Sequence, residues 1–237
     1  MLKAKVTAVY KPIVNLFEKL SGSRSMWQVF NDCIEIFALC FQNQFLFGKR
    51  YDENEERYKQ IIKQYSEQEV QTIIQIFAEL TNMAEQNPFR DLLGNLYMQL
   101  NMGSDALGQF FTPYSVAFAM AESCANIEQI KSQITDKGYI TVNEPACGGG
   151  ANVIALCEHL HNHNINYQSQ CVIVCQDLSH LTALMCYVVL SLLGCSAVVK
   201  IGDTLANPYT NYYDELRKGS EIWTTPMFHI CNCYSKV

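Results

Sequence analysis

Residues 139–150 read Tyr139-Ile140-Thr141-Val142-Asn143-Glu144-Pro145-Ala146-Cys147-Gly148-Gly149-Gly150. A short β-branched run leads into an acid and a proline, then into a turn of small residues ending in three glycines. Ala151-Asn152-Val153-Ile154-Ala155-Leu156 then begins a helical pattern. A chain that passes from strand through glycines into helix brings backbone N–H groups up to a ligand. Glycine allows both the sharp turn and the close approach, because no Cβ blocks either. The segment therefore predicts an α/β fold and a ligand that contains a nucleoside.

The residues that follow extend this pattern. Cys171-Val172-Ile173-Val174-Cys175 and Ala197-Val198-Val199-Lys200-Ile201 are short apolar runs of the kind buried on both faces of a sheet. Helical segments fall between them, at about 151–163 and 178–194. The alternation predicts a parallel, doubly wound sheet. Residues 1 to about 108 read as helical instead. Ser25-Met26-Trp27-Gln28 and Ser66-Glu67-Gln68-Glu69 match the capping box at a helix start. Trp27, Phe30, Ile34, Phe37, Leu39 and Phe41 recur at roughly helical spacing, as do Val70, Ile73, Ile74, Phe77 and Leu80. Asn87-Pro88 breaks the second helix, and Leu92, Leu93, Leu96, Tyr97 and Leu100 form another apolar face. The expected division is a helical domain over 1–105 and an α/β domain over 106–237.

Each of the three predicted strands closes on an acid: Glu144, Asp177 and Asp203. At the carboxyl ends of parallel strands these would face one crevice. Asp177 suits a ribose hydroxyl, or equally a cap on the helix that follows. Asp203, in Gly202-Asp203-Thr204-Leu205, suits an adenine amino group, or a turn. A dinucleotide site wants G-x-G-x-x-G. Gly148 and Gly150 supply the first two glycines, but Val153 stands at the third.

Composition excludes several classes of function. Hydrophobic residues make up 49% and charged residues 17%, which fits a packed core. No apolar run reaches the roughly 18 residues of a membrane span. The first residues lack a signal-peptide pattern, so the eleven cysteines read as reduced thiols of a cytoplasmic protein. A net charge of −6 argues against gripping nucleic acid unaided. No metal site is expected. His159, His161 and His163 are spaced off a common helix face, and no second cysteine pair accompanies His229, Cys231 and Cys233.

Glu144-Pro145-Ala146-Cys147-Gly148-Gly149-Gly150 resembles the S-adenosylmethionine motif of amino-DNA methyltransferases, (D/E)-P-A-C-G-(S/G)-G. Gly108-Gln109-Phe110-Phe111-Thr112-Pro113 resembles the segment ahead of it in that family, and Asp91–Tyr97 the helix before that. Gly202-Asp203-Thr204-Leu205 resembles the motif after the third strand. The resemblance is to N6-adenine methylases, in particular the modification subunits of type I restriction systems, and covers roughly 88–206. It implies a Rossmann-like methyltransferase core with S-adenosylmethionine as cofactor. The residues it assigns to the cofactor are Phe110, Phe111, Thr112, Pro113, Glu144, Pro145, Ala146, Cys147, Gly148, Gly150, Asp177, Asp203 and Leu205. Phe110 and Phe111 would set an aromatic face beside the sulfonium, and Thr112-Pro113 would start a helix.

In the family a loop of the form (N/D/S)-P-P-(F/Y/W) follows the fourth strand and holds the target amine and base. The nearest match is Thr225-Pro226-Met227-Phe228 after Ile222-Trp223-Thr224, with Thr225, Pro226 and Phe228 as its catalytic members. Asn207-Pro208-Tyr209 is a weaker match, too close to the third strand. The chain stops nine residues after Phe228, which predicts an incomplete sheet. Its open edge would be covered by a specificity subunit or another protein chain, and DNA would be reached through that complex. The alternative reading is a catalytically inactive relative that binds the cofactor and acts as a regulatory, assembly or anti-restriction subunit.

Overall fold

The computed structural model describes residues 7–22, 24–102, 112–233 and 235–237. They fall into two compact units, one of residues 7–88 with 92–102, the other of residues 89–91 with 112–237. No helix among the described residues is long and apolar enough to cross a membrane.

The first unit is built of helices α1 (Lys11–Ser21), α2 (Met26–Asn43), α3 (Lys49–Ile62), α4 (Glu67–Gln86) and α5 (Leu92–Gln99). Ser25 caps α2 by accepting from the Gln28 amide. Ser66 and Glu69 form a full reciprocal capping box at the start of α4, which satisfies two backbone donors that the helix itself leaves over. The core holds Phe17, Phe30, Ile34, Ile76, Leu80 and Tyr97, with the Phe30 ring 5.7 Å from Phe17 and 5.8 Å from Tyr97. Two members of the predicted stripes face outward, Trp27 (53% exposed) and Ile74 (54%). Their places inside are taken by Val29, Cys33 and Ile76.

The second unit runs α6 (Tyr114–Cys124), α7 (Ile127–Lys137), β1 (Ile140–Glu144), α8 (Ala151–Asn162), α9 (Tyr167–Gln170), β2 (Cys171–Asp177), α10 (His180–Leu192), β3 (Ser196–Ile201), α11 (Tyr212–Lys218), β4 (Ile222–Thr224) and α12 (Pro226–Ile230). The sheet order is β1-β2-β3-β4. β1, β2 and β3 are parallel, with Val142 beside Ile173 and Ile173 beside Ala197. Central strand β2 is buried along nearly its whole length, while β1 alternates and leaves Thr141 and Asn143 exposed. Alanines 117, 121, 151 and 155 let α6 and α8 pack closely.

The three expected strands are parallel as read from the sequence, and β4 departs from them. It pairs antiparallel with β3, Val198 opposite Thr224 and Lys200 opposite Ile222. The reason lies in the connection. α11 has seven residues, about 10 Å of helix, against about 20 Å for a six-residue strand. α11 by itself is too short to cross the sheet, and the Lys200–Glu215 ion pair keeps it at the carboxyl end of β3. The Ile201 amide still bonds to the Glu221 carbonyl, so β4 starts where β3 ended and runs backwards.

Candidate functional site

The site is built at the carboxyl ends of β1, β2 and β3, where three loops are tied to one another. The Cys147 amide donates to the Gln176 carbonyl (3.0 Å), and the Gly148 amide to Asp177 Oδ2 (2.7 Å). The Gly202 amide donates to the Asp177 carbonyl (2.9 Å), and Thr204 Oγ1 to the Pro145 carbonyl (2.6 Å). The turn is thereby pinned to the end of β2 and to the loop after β3. Gly148 and Gly150 sit at φ +50° and +95°, a region that side-chain-bearing residues enter only with strain. A Cβ on Gly150 would also stand 3.3 Å from Cys186 Sγ.

Glu144 and Asp177 are the last residues of β1 and β2, and Asp203 follows the end of β3 by two residues. Glu144 accepts from the Ala146 amide and Asn152 Nδ2, each at 3.2 Å. Asp177 Oδ1 accepts from the Ser179 amide (2.9 Å) and Thr182 Oγ1 (3.0 Å). Asp177 therefore braces the start of α10, whose cap is Ser179, and also holds the glycine turn. A carboxylate has about four acceptor positions, so it keeps room for a further donor. Asp203 is exposed and accepts from the Leu205 amide at 2.8 Å.

Residues 144–150, 177–181 and 202–206 contain three acids and no lysine or arginine. Such a rim receives hydroxyls, amines and cations, and repels phosphates, which call for basic side chains. Leu178 (74% exposed) and Leu205 (95%) each follow closely on an acid and offer apolar surface to a ring. Leu178 was not singled out in the sequence. Its signal is an apolar residue one place after a strand-ending acid.

Thr112 and Pro113 are placed differently from expectation. α6 starts at Tyr114, its N-cap is Pro113, and no side chain caps it. Thr112 is thus not the cap. Phe110 and Phe111 lie outside the described residues.

A model of the N-6 DNA methylase family matches residues 88–232. The chain belongs to that family. No curated protein matches it. Among solved structures, the methylase-family chain resembles a protein from Listeria monocytogenes described as a class I S-adenosylmethionine-dependent methyltransferase. The TM-score is 0.50 at 16% identity, over 86% of this chain and 55% of that one. A second similar structure is the methyltransferase subunit of a type I restriction-modification system from Streptococcus thermophilus. There the TM-score is 0.39 at 18% identity, over 88% of this chain and 42% of that one. The chain spans about half the length of the structures it matches. The likeness to the Listeria protein supports the methyltransferase-type α/β fold.

Within this family member, Thr225, Pro226 and Phe228 are not brought to the acids. Because β4 runs backwards, they lie beside Cys195 and Ala197, at the amino end of β3. Thr225 is fully buried; its Oγ1 donates to the Cys195 carbonyl (2.6 Å) and accepts from the Ala197 amide (2.9 Å). Phe228 is also fully buried, in a cluster with Val172, Val198, Ile222 and Cys233. In this structure the Phe228 ring has no face open to a base, and Thr225 and Phe228 serve the packing at the amino end of β3.

At the carboxyl end the structure adds a buried polar network. Lys200 Nζ pairs with Glu215 Oε2 at 2.6 Å, both side chains fully buried. Lys200 also donates to Asn207 Oδ1 (3.2 Å) and the Pro208 carbonyl (3.3 Å). Gln176 bonds to the Asn207 carbonyl (2.9 Å) and the Tyr209 amide (3.1 Å). Burial pushes the Glu215 carboxyl up, but hydrogen bonds from Lys200, Ser220, Thr210 and Lys218 outweigh it and hold it well below the ordinary carboxylate range. The network fixes Asn207-Pro208-Tyr209 beside the β3 exit. A lone lysine inside an apolar strand pattern was its only sequence signal.

Proposed function

We propose that this chain binds S-adenosylmethionine at the carboxyl ends of β1–β3 and serves methyl transfer to the exocyclic amine of adenine in DNA. The three acids around the glycine turn, with no lysine or arginine among them, are the observation that carries this reading. The cofactor has a cationic sulfonium, an amine, two ribose hydroxyls and an adenine amino group, and no phosphate. Its needs match the donor-accepting rim. Asp203 is assigned to the adenine amino group, Asp177 to the ribose, and Glu144 to the ribose or the methionine amine. Leu178 and Leu205 are assigned to the adenine faces, and Phe110 to Pro113 to the methionine end. When bound, the cofactor supplies the electrophilic methyl group. The chain orients it.

A second reading is favoured by the burial of Thr225 and Phe228. In it the chain binds the cofactor without transferring methyl groups, as a regulatory or assembly subunit. Calorimetry with S-adenosylmethionine, followed by tritiated-methyl transfer to unmethylated DNA, separates the two. Binding with transfer supports the first, and binding without transfer the second. Absence of binding overturns both.

The proposed partner is another chain of a restriction-modification complex, such as a specificity subunit, which also brings the DNA. Edge strand β1 supports it. Alongside β1 runs a cleft of about 360 Å³ lined by Ala117, Met120, Ala121, Ile130 and Val142. Exposed edge strands invite pairing. Gel filtration of the chain with such a subunit should show a complex that Met120→Glu weakens. Unchanged elution of the mixture would refute this assignment.

A further inference from the structure

Three thiols meet beneath the glycine turn. Cys147 comes from the turn itself, Cys175 from β2 and Cys186 from α10, and their sulfur atoms all lie within 4.8 Å of one another. Cys175 and Cys186 are fully buried and Cys147 is 5% exposed, so the cluster lies just under the surface with Cys147 at its rim. Around a metal with bonds of about 2.3 Å, three sulfurs form a triangle with edges of about 4.0 Å. The cluster is thus within about 0.8 Å of closing on an ion.

We propose that Cys147, Cys175 and Cys186 form a three-thiolate site for a soft, thiophilic d10 metal cation. Sulfur-only donors select such ions over magnesium or calcium, which require oxygen. The nearby Asp177 carboxylate is held by Gly148, Ser179 and Thr182 and adds at most one oxygen to the three sulfurs, which set the selection. A divalent ion held by three thiolates leaves one negative charge. The start of α8, which follows the turn directly and has no side-chain cap, supplies partial positive charge to offset it.

Each metal–sulfur bond releases one thiol proton to solvent, three in all for the complete site. Hydrogen bonds among the thiols, lowering from Cys175 and raising from Cys186, together with burial leave the Cys147 thiol raised far above its ordinary value. Cys175 and Cys186 are raised as well, again by the balance of their mutual hydrogen bonds together with burial. Metal uptake therefore tightens as pH rises. It does not depend on the cofactor reading, although an ion here would hold Cys147, and with it the glycine turn, from below.

The test uses Cd²⁺ as the probe on the full chain, kept reduced by a phosphine. One equivalent should bind with the near-ultraviolet sulfur-to-cadmium absorption, more tightly at pH 8 than at pH 6, and raise Tm. Changing even a neighbour of a metal ligand costs about 10–100-fold in affinity. Cys147→Ala and Cys175→Ser should therefore each weaken binding more than about 100-fold. Cys157→Ser serves as the control, because Cys157 Sγ lies 3.7 Å from Cys195 Sγ in a separate pair; it should leave binding unchanged. If the core variant Cys175→Ser fails to fold, Cys147→Ala at the rim still decides. Absence of the absorption with one equivalent, retention of tight binding by Cys147→Ala, or equal loss in Cys157→Ser overturns the proposal.

Discussion

At the scale of single residues, position separates the side chains proposed to bind from those that hold the fold. Asp203 is exposed, so Asp203→Ala should leave Tm within a few degrees while weakening S-adenosylmethionine binding about tenfold, one hydrogen bond's worth. Calorimetry beside thermal unfolding checks this. Thr225→Val should do the opposite. It removes a buried hydroxyl that both donates and accepts, at a cost of about 1–3 kcal/mol in urea unfolding, with the cofactor Kd unchanged. Gly150→Ala should lose on both counts. Its φ of +95° and the approach of Cys186 imply about 1–3 kcal/mol of strain, in the loop that meets the ligand. The glycines and the three acids were legible in the sequence because each needs only its own residue type at the end of a strand. The role of Thr225 was not, since its partners Cys195 and Ala197 lie about 30 residues away in the chain.

At the scale of elements, the Lys200–Glu215 pair anchors α11 to β3, next to the start of β4. Lys200→Met leaves Glu215 buried without its main partner and should destabilise by about 3–5 kcal/mol, read by denaturant titration. Glu215 also gives the fold an acid sensitivity of defined sign. Its folded pKa lies below the ordinary value of 4.5. Its stabilisation is therefore complete above that pH and is lost as pH falls toward the depressed folded value. Denaturant midpoints should drop on acidification below about pH 4.5, and the drop should be smaller in Glu215→Gln. The strands, the glycine turn and most helix ends were readable locally from apolar runs, serine caps and Asn87-Pro88. The antiparallel course of β4 was not, because it shows only in the pairing of β4 with β3 and in an ion pair between residues 15 apart in the chain.

At the scale of the whole molecule, a chain with net charge −6 and an acidic ligand rim is poorly suited to hold DNA alone. Near 0.15 M salt its unaided affinity for duplex DNA should be no tighter than about 1 µM, the strong end of non-specific binding, and a filter-binding titration checks this. Nanomolar binding without a partner would contradict the proposed dependence on a complex. By itself, the amino-acid sequence determined the helical character of the first hundred residues, the strand–turn–helix core and its family. All of these rest on periodicities and motifs that act over a few residues. Only the tertiary structure decided that Thr225 and Phe228 lie at the far end of the sheet from the acids, that Lys200 and Glu215 meet, and that Cys147, Cys175 and Cys186 converge. Each depends on which strand edges pair and which elements stack. That outcome is governed by connection length and by the burial of distant side chains against each other, and no local pattern in the chain encodes it.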